Sequence, residues 1–239
     1  MAQIYHGKSN LTSKGLTFII FGLILSLPTF YYGYLFFTGK FYFLNYMHLV
    51  MFLPFAIGTY FINKSLALFS GKTGENRIVK ELAKLPDDHI VFTNYFCSFE
   101  HKKCEIDALV LAPQGIFVIE SKNHNGTING SLEEKSWLQE KIGRNGGEYS
   151  ANMRNPIKQV NRSIYILSSF LRQHHINLWV EGLVCFTNPA VKLKVAEEAL
   201  EKCFYLPEIL PHVTSSNATK QLSNIDINKL TTVLVQNQA

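Results

Sequence analysis

Asp107 lies within the apolar run Ile106-Asp107-Ala108-Leu109-Val110-Leu111. Glu120 closes the run Ile116-Phe117-Val118-Ile119, with Lys122 two residues further on. An acid buried without a partner costs several kcal/mol, so a carboxylate inside an apolar strand must be stabilised by something. Alternate strand residues share a face, which puts Glu120 and Lys122 on one side. Two neighbouring carboxylates repel, and one takes up a proton unless a divalent cation sits between them. An all-oxygen site that keeps some water suits Mg²⁺ or Mn²⁺. Such an ion acidifies water and offsets charge developing on a phosphoryl oxygen, while Lys122 would orient or deprotonate that water and touch the phosphate. Acid, spacer, acid-x-Lys is thus suited to phosphodiester hydrolysis.

The elements around these residues must bring them together. In Ala112-Pro113-Gln114-Gly115, Pro stands second and Gly fourth, the pattern of a type I turn, so Cys104 to Ala112 and Gly115 to Lys122 are read as a hairpin. With Pro113 and Gln114 as a two-residue loop, Asp107 faces Glu120 directly. With a bulge at Gly115, Glu120 turns to the other face unless a second bulge restores it. His89 to Cys97 is the strand before the hairpin. A linker through Ser70 and Gly71 leads to a helix expected from about Gly74 to Leu85, capped by Thr73, with Ile78, Val79, Leu82 and Glu75 turned toward the sheet. Gly126 to Ser150 reads as a polar excursion with a small hairpin around Trp137. Asn155 then caps a helix with Pro156 at its first position and an apolar stripe of Ile157, Val160, Ile164, Leu167 and Leu171. Leu178 to Thr187 is a buried strand, followed by a short strand near Lys202 to Leu206 and a last helix from about Asp226.

The N-terminal quarter is of another kind. Of 23 basic and 18 acidic residues, residues 1 to 63 hold only Lys8, Lys14 and Lys40 and no acid, so the net charge of +5 is largely theirs. Charge alone therefore does not nominate a nucleic-acid binder. Gly15 to Gly39 and Phe41 to Asn63 carry no formal charge, and each can cross a bilayer. Pro28 is tolerated as a kink within lipid. Tyr31, Tyr32, Tyr34, Phe41, Tyr42 and Tyr46 gather near the short connection as interfacial aromatics do. The first span is longer than a signal-peptide core, and no small-x-small site follows it. Lys8, Lys14, Lys64, Lys72, Arg77 and Lys80 flank the outer ends, which predicts a lipid-embedded helical hairpin with both termini and the globular part cytoplasmic. His48 is read as tolerated at the interface. Four cysteines make no disulfide framework and fit a reducing compartment.

Gly74-Glu75-Asn76-Arg77-Ile78, Glu105-Ile106-Asp107-Ala108-Leu109-Val110, Gly115-Ile116-Phe117-Val118-Ile119-Glu120-Ser121-Lys122 and Asn155-Pro156-Ile157-Lys158-Gln159-Val160 together resemble the successive motifs of the nuclease-related domain family, within the PD-(D/E)xK phosphodiesterases. The resemblance implies an α/β, restriction-endonuclease-like αβββαβ core, a mixed sheet flanked by helices. It implies that Asp107 and Glu120 bind Mg²⁺ or Mn²⁺ with the Ser121 carbonyl, that Lys122 assists the attacking water, and that Glu75 and Gln159 complete the site. DNA as substrate rests on the resemblance alone, and Ile106 stands where the superfamily's proline would be. The expected organisation is an anchor over 1–64 with helices at about 16–37 and 43–62, a nuclease-related domain over 71–187, and an extension over 188–239 packed on it. The rival reading is a membrane-bound nuclease fold without turnover that binds nucleic acid or a protein. A sensor or transporter accessory would need polar groups along the spans, where only Asn45 and His48 occur.

Other residues have plainer readings. Cys97, His101 and Cys104 invite zinc but lack a fourth ligand of suitable spacing. His124, Arg154, Lys158 and Arg162 are candidates for touching nucleic acid, with a solvated turn favoured for His124 and a solvated surface equally open for the basic residues. Trp137 is expected to pack the excursion onto the sheet rather than to stack on a base.

Overall fold

A computed structural model of the chain describes all residues except 8–10, 41–49, 51, 143–145, 217–220 and 239. The chain divides into two compact units, Met1–Lys8 with Gly74–Ala239, and Ser9–Thr73.

The second unit is built from α1 (Leu11–Phe37) and the first part of α2 (Phe52–Leu82), which run antiparallel. Small residues let their backbones approach closely. A Cβ on Gly22 would stand 2.7 Å from the Gly58 carbonyl oxygen, and Ser65 Oγ donates to the Gly15 carbonyl at 2.8 Å. The rings of Phe18 and Phe21 meet Phe61 at 5.6 and 5.0 Å. Leu16, Ile20, Leu23, Ile24 and Leu27 stay exposed, and only 17% and 11% of the most apolar windows of the two helices are buried. Both helices are long and apolar enough to cross a membrane. The expected start of the second span, with Asn45 and His48, lies outside the described residues.

The expected linker and cap at residues 70–73 are absent. α2 runs through Ser70, Gly71 and Thr73 without interruption, and Thr73 Oγ1 donates back to the Phe69 carbonyl at 2.9 Å. A hydroxyl that bonds to the carbonyl four residues earlier is compatible with a helix interior, so composition alone misplaced this boundary.

The first unit centres on a six-stranded mixed sheet ordered β1-β2-β3-β4-β8-β10, with β1 (Gln3–His6), β2 (Ile90–Phe99), β3 (Lys102–Ala112), β4 (Gly115–Lys122), β8 (Val180–Phe186) and β10 (Cys203–Tyr205). β2, β3 and β4 are antiparallel neighbours, while β1, β8 and β10 pair parallel. The end of α2, the three antiparallel strands, α3 (Pro156–Gln173) and β8 follow the expected αβββαβ order. β1 corrects the extent given to the anchor: residues 3–6 pair with Ile90 to Thr93, and Tyr5 stacks on Phe92 at 4.9 Å.

Apolar residues fill both faces of the sheet. On one face, Ile78, Leu82 and Leu85 pack with Val91, Val110, Phe117 and Ile119, and with Ile209 and Val213 of α5 (Ile209–Ser215). On the other, Phe92, Leu109, Leu111, Ile116 and Val118 meet Ile157, Val160 and Leu167 of α3 and Leu230 and Leu234 of α6 (Asn224–Gln238). The excursion is more than a hairpin. β5 (Gly126–Gly130), β6 (Ser136–Ile142) and β7 (Glu148–Arg154) join β9 (Val191–Val195) in a second sheet ordered β7-β6-β5-β9. Trp137 is fully buried there, its indole N–H donating to the Ser131 carbonyl at 2.8 Å over Gly130. The short α4 (Glu197–Leu200) leads from β9 into β10.

Candidate active site

The turn at Pro113-Gln114 sets the register. β3 and β4 pair from Ala112↔Gly115 back to Ala108↔Ile119, which is the two-residue-loop alignment, and the ladder stops one step before Asp107 and Glu120. β2 is irregular at the same level. Its pairing with β3 runs to Thr93↔Ala108 and resumes at Tyr95↔Ile106, passing over Asn94 and Asp107. Asn94 adopts φ +49, a left-handed conformation that Asn tolerates better than most residues. Beside it, a Cβ on Gly7 would stand 2.2 Å from the Asn94 carbonyl oxygen, so only glycine fits where β1 ends. The regular sheet is therefore interrupted where the carboxylate sits.

Asp107 Oδ2 accepts from the Ser121 backbone N–H at 2.7 Å, taking the donor that the ladder leaves free. Burial, first of all, and the nearby Glu120 carboxylate hold the Asp107 carboxyl well above its usual range. Glu75 acts in the same direction, against the Ser121 N–H and the Lys122 ammonium. Lys122 Nζ meets Glu120 Oε1 at 2.8 Å, both side chains being mostly buried. Asp107, Glu120, Lys122 and Glu75 thus lie within electrostatic reach of one another. Glu75 is itself buried, one turn before Ile78 on α2.

Gln159 lies in the first turns of α3. Its Oε1 is buried without a hydrogen-bond partner, one of three such side-chain atoms among the described residues. Asn155 fixes this helix end: its Oδ1 accepts from the N–H groups of Ile157 and Lys158 at 2.9 and 3.3 Å. Its Nδ2 donates to the carbonyls of Ser131, Leu132 and Glu134. Among the described residues no three His, Cys, Asp or Glu side chains group closely enough to hold a metal ion. The donors that the hairpin itself brings together are the carboxylates of Asp107 and Glu120, both oxygen ligands. Hard divalent ions accept such a set when water fills the remaining positions.

The remaining candidates are spread out. Arg154, Lys158 and Arg162 are exposed; Lys158 Nζ donates to the Glu133 carbonyl at 2.5 Å and Arg162 reaches the Lys103 carbonyl at 3.5 Å. His124 is not in a solvated turn. It is half-buried with Nδ1 at 3.1 Å from Gln139 Oε1, and burial holds its pKa below the ordinary value. Gln139 in turn donates to the Asn125 carbonyl at 2.6 Å.

Sequence reasoning missed a clamp behind Lys122. Arg77 donates to Asn123 Oδ1 at 3.0 Å and to the Thr187 carbonyl at 3.2 Å, while the Thr187 N–H donates to the Lys122 carbonyl at 2.9 Å. A Cβ on Gly74 would come within 2.7 Å of Asn123 Cβ, so glycine is needed for α2 to lie this close to the strand ends. The signal is present in the spacing of Gly74 and Arg77 on one helix, within the motif Gly74-Glu75-Asn76-Arg77-Ile78, but the motif alone assigns Arg77 no partner.

A mixed sheet flanked by helices, with acids and a lysine at the open end of its central hairpin, defines a nuclease-like α/β domain. Residues 70–187 match the nuclease-related domain, NERD, and this part of the chain belongs to that family. An uncharacterized protein of Bacillus anthracis is 35% identical over 80 residues, 33% of this chain and 38% of that protein. A probable kinase, PglW, of Streptomyces coelicolor is 30% identical over 92 residues, 38% of this chain but 6% of the kinase. The chain therefore spans well under half the length of either relative. No solved structure matches it.

Proposed function

We propose that the protein is a membrane-anchored nuclease that hydrolyses DNA phosphodiester bonds with Mg²⁺ or Mn²⁺. The observation that carries this reading is the convergence of Asp107, Glu120 and Lys122 where β3 and β4 part, with burial first and the Glu120 carboxylate second raising the proton affinity of Asp107. An acid of raised proton affinity beside a second carboxylate is what a site that exchanges a proton for a cation requires. Asp107 and Glu120 would hold the ion, with the Ser121 carbonyl, Gln159 and water completing its oxygen shell, and Glu75 would add negative charge behind them. When bound, the ion supplies charge neutralisation at the phosphoryl group and a more acidic water.

The chain's own groups have the remaining tasks. The Ser121 N–H fixes the Asp107 carboxylate, and Lys122, anchored through its carbonyl to Thr187 and by its ammonium to Glu120, orients water and phosphate. Arg77 acts as a positioning residue through Asn123 and Thr187. Arg154, Lys158 and Arg162 offer exposed cations to a phosphate backbone, a salt-dependent contribution. DNA is preferred to RNA by likeness to the nuclease-related family. The two apolar helices support the anchor, and the lysines at their outer ends support cytoplasmic termini.

The test is incubation of the full chain in detergent with linear, circular and single-stranded DNA, with and without Mg²⁺ or Mn²⁺. Metal-dependent cleavage that Asp107→Ala abolishes is expected. Cleavage unchanged by that substitution would remove the reading, and divalent binding without cleavage would indicate a nuclease fold lacking turnover.

A further inference from the structure

Outside the carboxylate cluster, two reactive side chains stand directly against each other. Cys97 on β2 and Cys104 on β3 are cross-strand partners. Partners in an antiparallel ladder have Cα atoms about 4.5 to 5.5 Å apart, inside the span of about 4.4 to 6.8 Å that a disulfide bridges, so joining them requires no backbone movement. Both thiols are free and are hydrogen-bonded to one another.

The two sulfur atoms differ in access and in charge. Cys97 is fully buried, and its hydrogen bond to Cys104 followed by burial raises its pKa far above the ordinary thiol value. Cys104 is partly exposed. The hydrogen bond from Cys97 keeps it below the ordinary value despite burial, aided by the Ser163 hydroxyl and the Arg162 guanidinium, both on α3. The thiolate is the attacking form, so the accessible sulfur is also the activated one. Cys185 and Cys203 are buried with raised pKa values, first of all because of that burial.

We infer that Cys97 and Cys104 form a modification site for a hydroperoxide, with Cys104 as the attacking sulfur and Cys97 as the resolving one. The Cys104 thiolate attacks one oxygen of hydrogen peroxide and the O–O bond breaks. Cys104 becomes a sulfenic acid, oxidised by two electrons, and the departing hydroxide takes a proton and leaves as water. The Cys97 sulfur then attacks the Cys104 sulfur, the S–O bond breaks, and the oxygen leaves as a second water carrying the Cys97 proton. Two thiols and one peroxide give one disulfide and two waters. This inference stands apart from the metal site and does not depend on phosphodiester hydrolysis.

The full chain in detergent, treated with about one equivalent of hydrogen peroxide, blocked with an alkylating agent and digested without reductant, provides the test by peptide mass mapping. A Cys97–Cys104 linked peptide that disappears on reduction is expected. Cys97→Ser should leave a sulfenic acid on Cys104 that dimedone captures, and Cys104→Ser should lose the reaction. Prior oxidation of Cys185 or Cys203, a bridge between two chains, a sulfenic acid on Cys97, or no linkage under excess peroxide would each overturn the assignment. The wild-type map decides the question even if a variant does not fold.

Discussion

The hairpin of β3 and β4 has two unlike ends. Toward the turn, Ala108 to Ala112 and Gly115 to Ile119 are paired and apolar, and all but Gly115 are buried. Toward the open end the ladder stops, Asn94 turns left-handed, and Asp107, Glu120 and Lys122 crowd together. One end is held by packing and regular hydrogen bonds. The other keeps an acid above its ordinary pKa beside a second carboxylate and an ammonium. Rigidity is thus supplied a few residues from where the chemistry is proposed.

This contrast is sharpest in catalysis. Lys122→Ala should lower metal-dependent cleavage by about 10²- to 10⁴-fold, the usual span for a positioned proton-transfer group, with the melting temperature little changed. A loss of folding instead would place Lys122 in the structural end. At the packed end, Leu109→Ala should cost about 2–5 kcal/mol, read by chemical denaturation, because it leaves a cavity in the sheet's core. A loss below about 1 kcal/mol would contradict the division.

Deleting residues 1–7 removes four ladder pairs and the Tyr5–Phe92 stack, a loss of about 1 kcal/mol from the ring pair alone. The globular unit cut free near residue 65 should therefore melt earlier than the full chain, and equal melting would show β1 to be dispensable. The smallest effect has the opposite sign. Gln159→Leu should stabilise the metal-free chain by about 1 kcal/mol, since it removes a buried oxygen with no partner, while weakening metal-dependent cleavage. Destabilisation would mean that Gln159 already serves the packed end.

Much of the site was legible because the hairpin's chemistry is local. Pro113 and Gln114 define a two-residue loop, and that alignment carries Asp107 to Glu120 without long-range information. Elements built from distant or two-sided polar partners were not. β1 is four residues long and pairs with residues far along the chain, so it offers no pattern of its own. β7 is exposed at six of seven positions, which removes the alternation that marks a half-buried strand. The continuity of α2 was hidden because Ser70, Gly71 and Thr73 have the composition of a linker while adopting a helix. The left-handed Asn94, at the level where Asp107 leaves the ladder, lies against Gly7, a residue far off in the chain, and spacing could not reveal that approach.

The raised Asp107 pKa gives the pH dependence its sign. The folded chain binds this proton more tightly than the unfolded chain does, so the contribution of Asp107 to metal-free stability is greatest in acid. It declines as pH rises from the ordinary carboxylate value through the raised one, whereas a cation competing with that proton gains as pH rises. Thermal melting of the full chain with and without Mg²⁺ across this range, for the wild type and Asp107→Asn, tests the central claim. The account predicts a Mg²⁺-dependent rise in melting temperature that grows with pH in the wild type and is absent in Asp107→Asn. The variant should also melt higher than the wild type without metal above the raised pKa. An equal Mg²⁺ effect in both proteins, or none in the wild type, would contradict it.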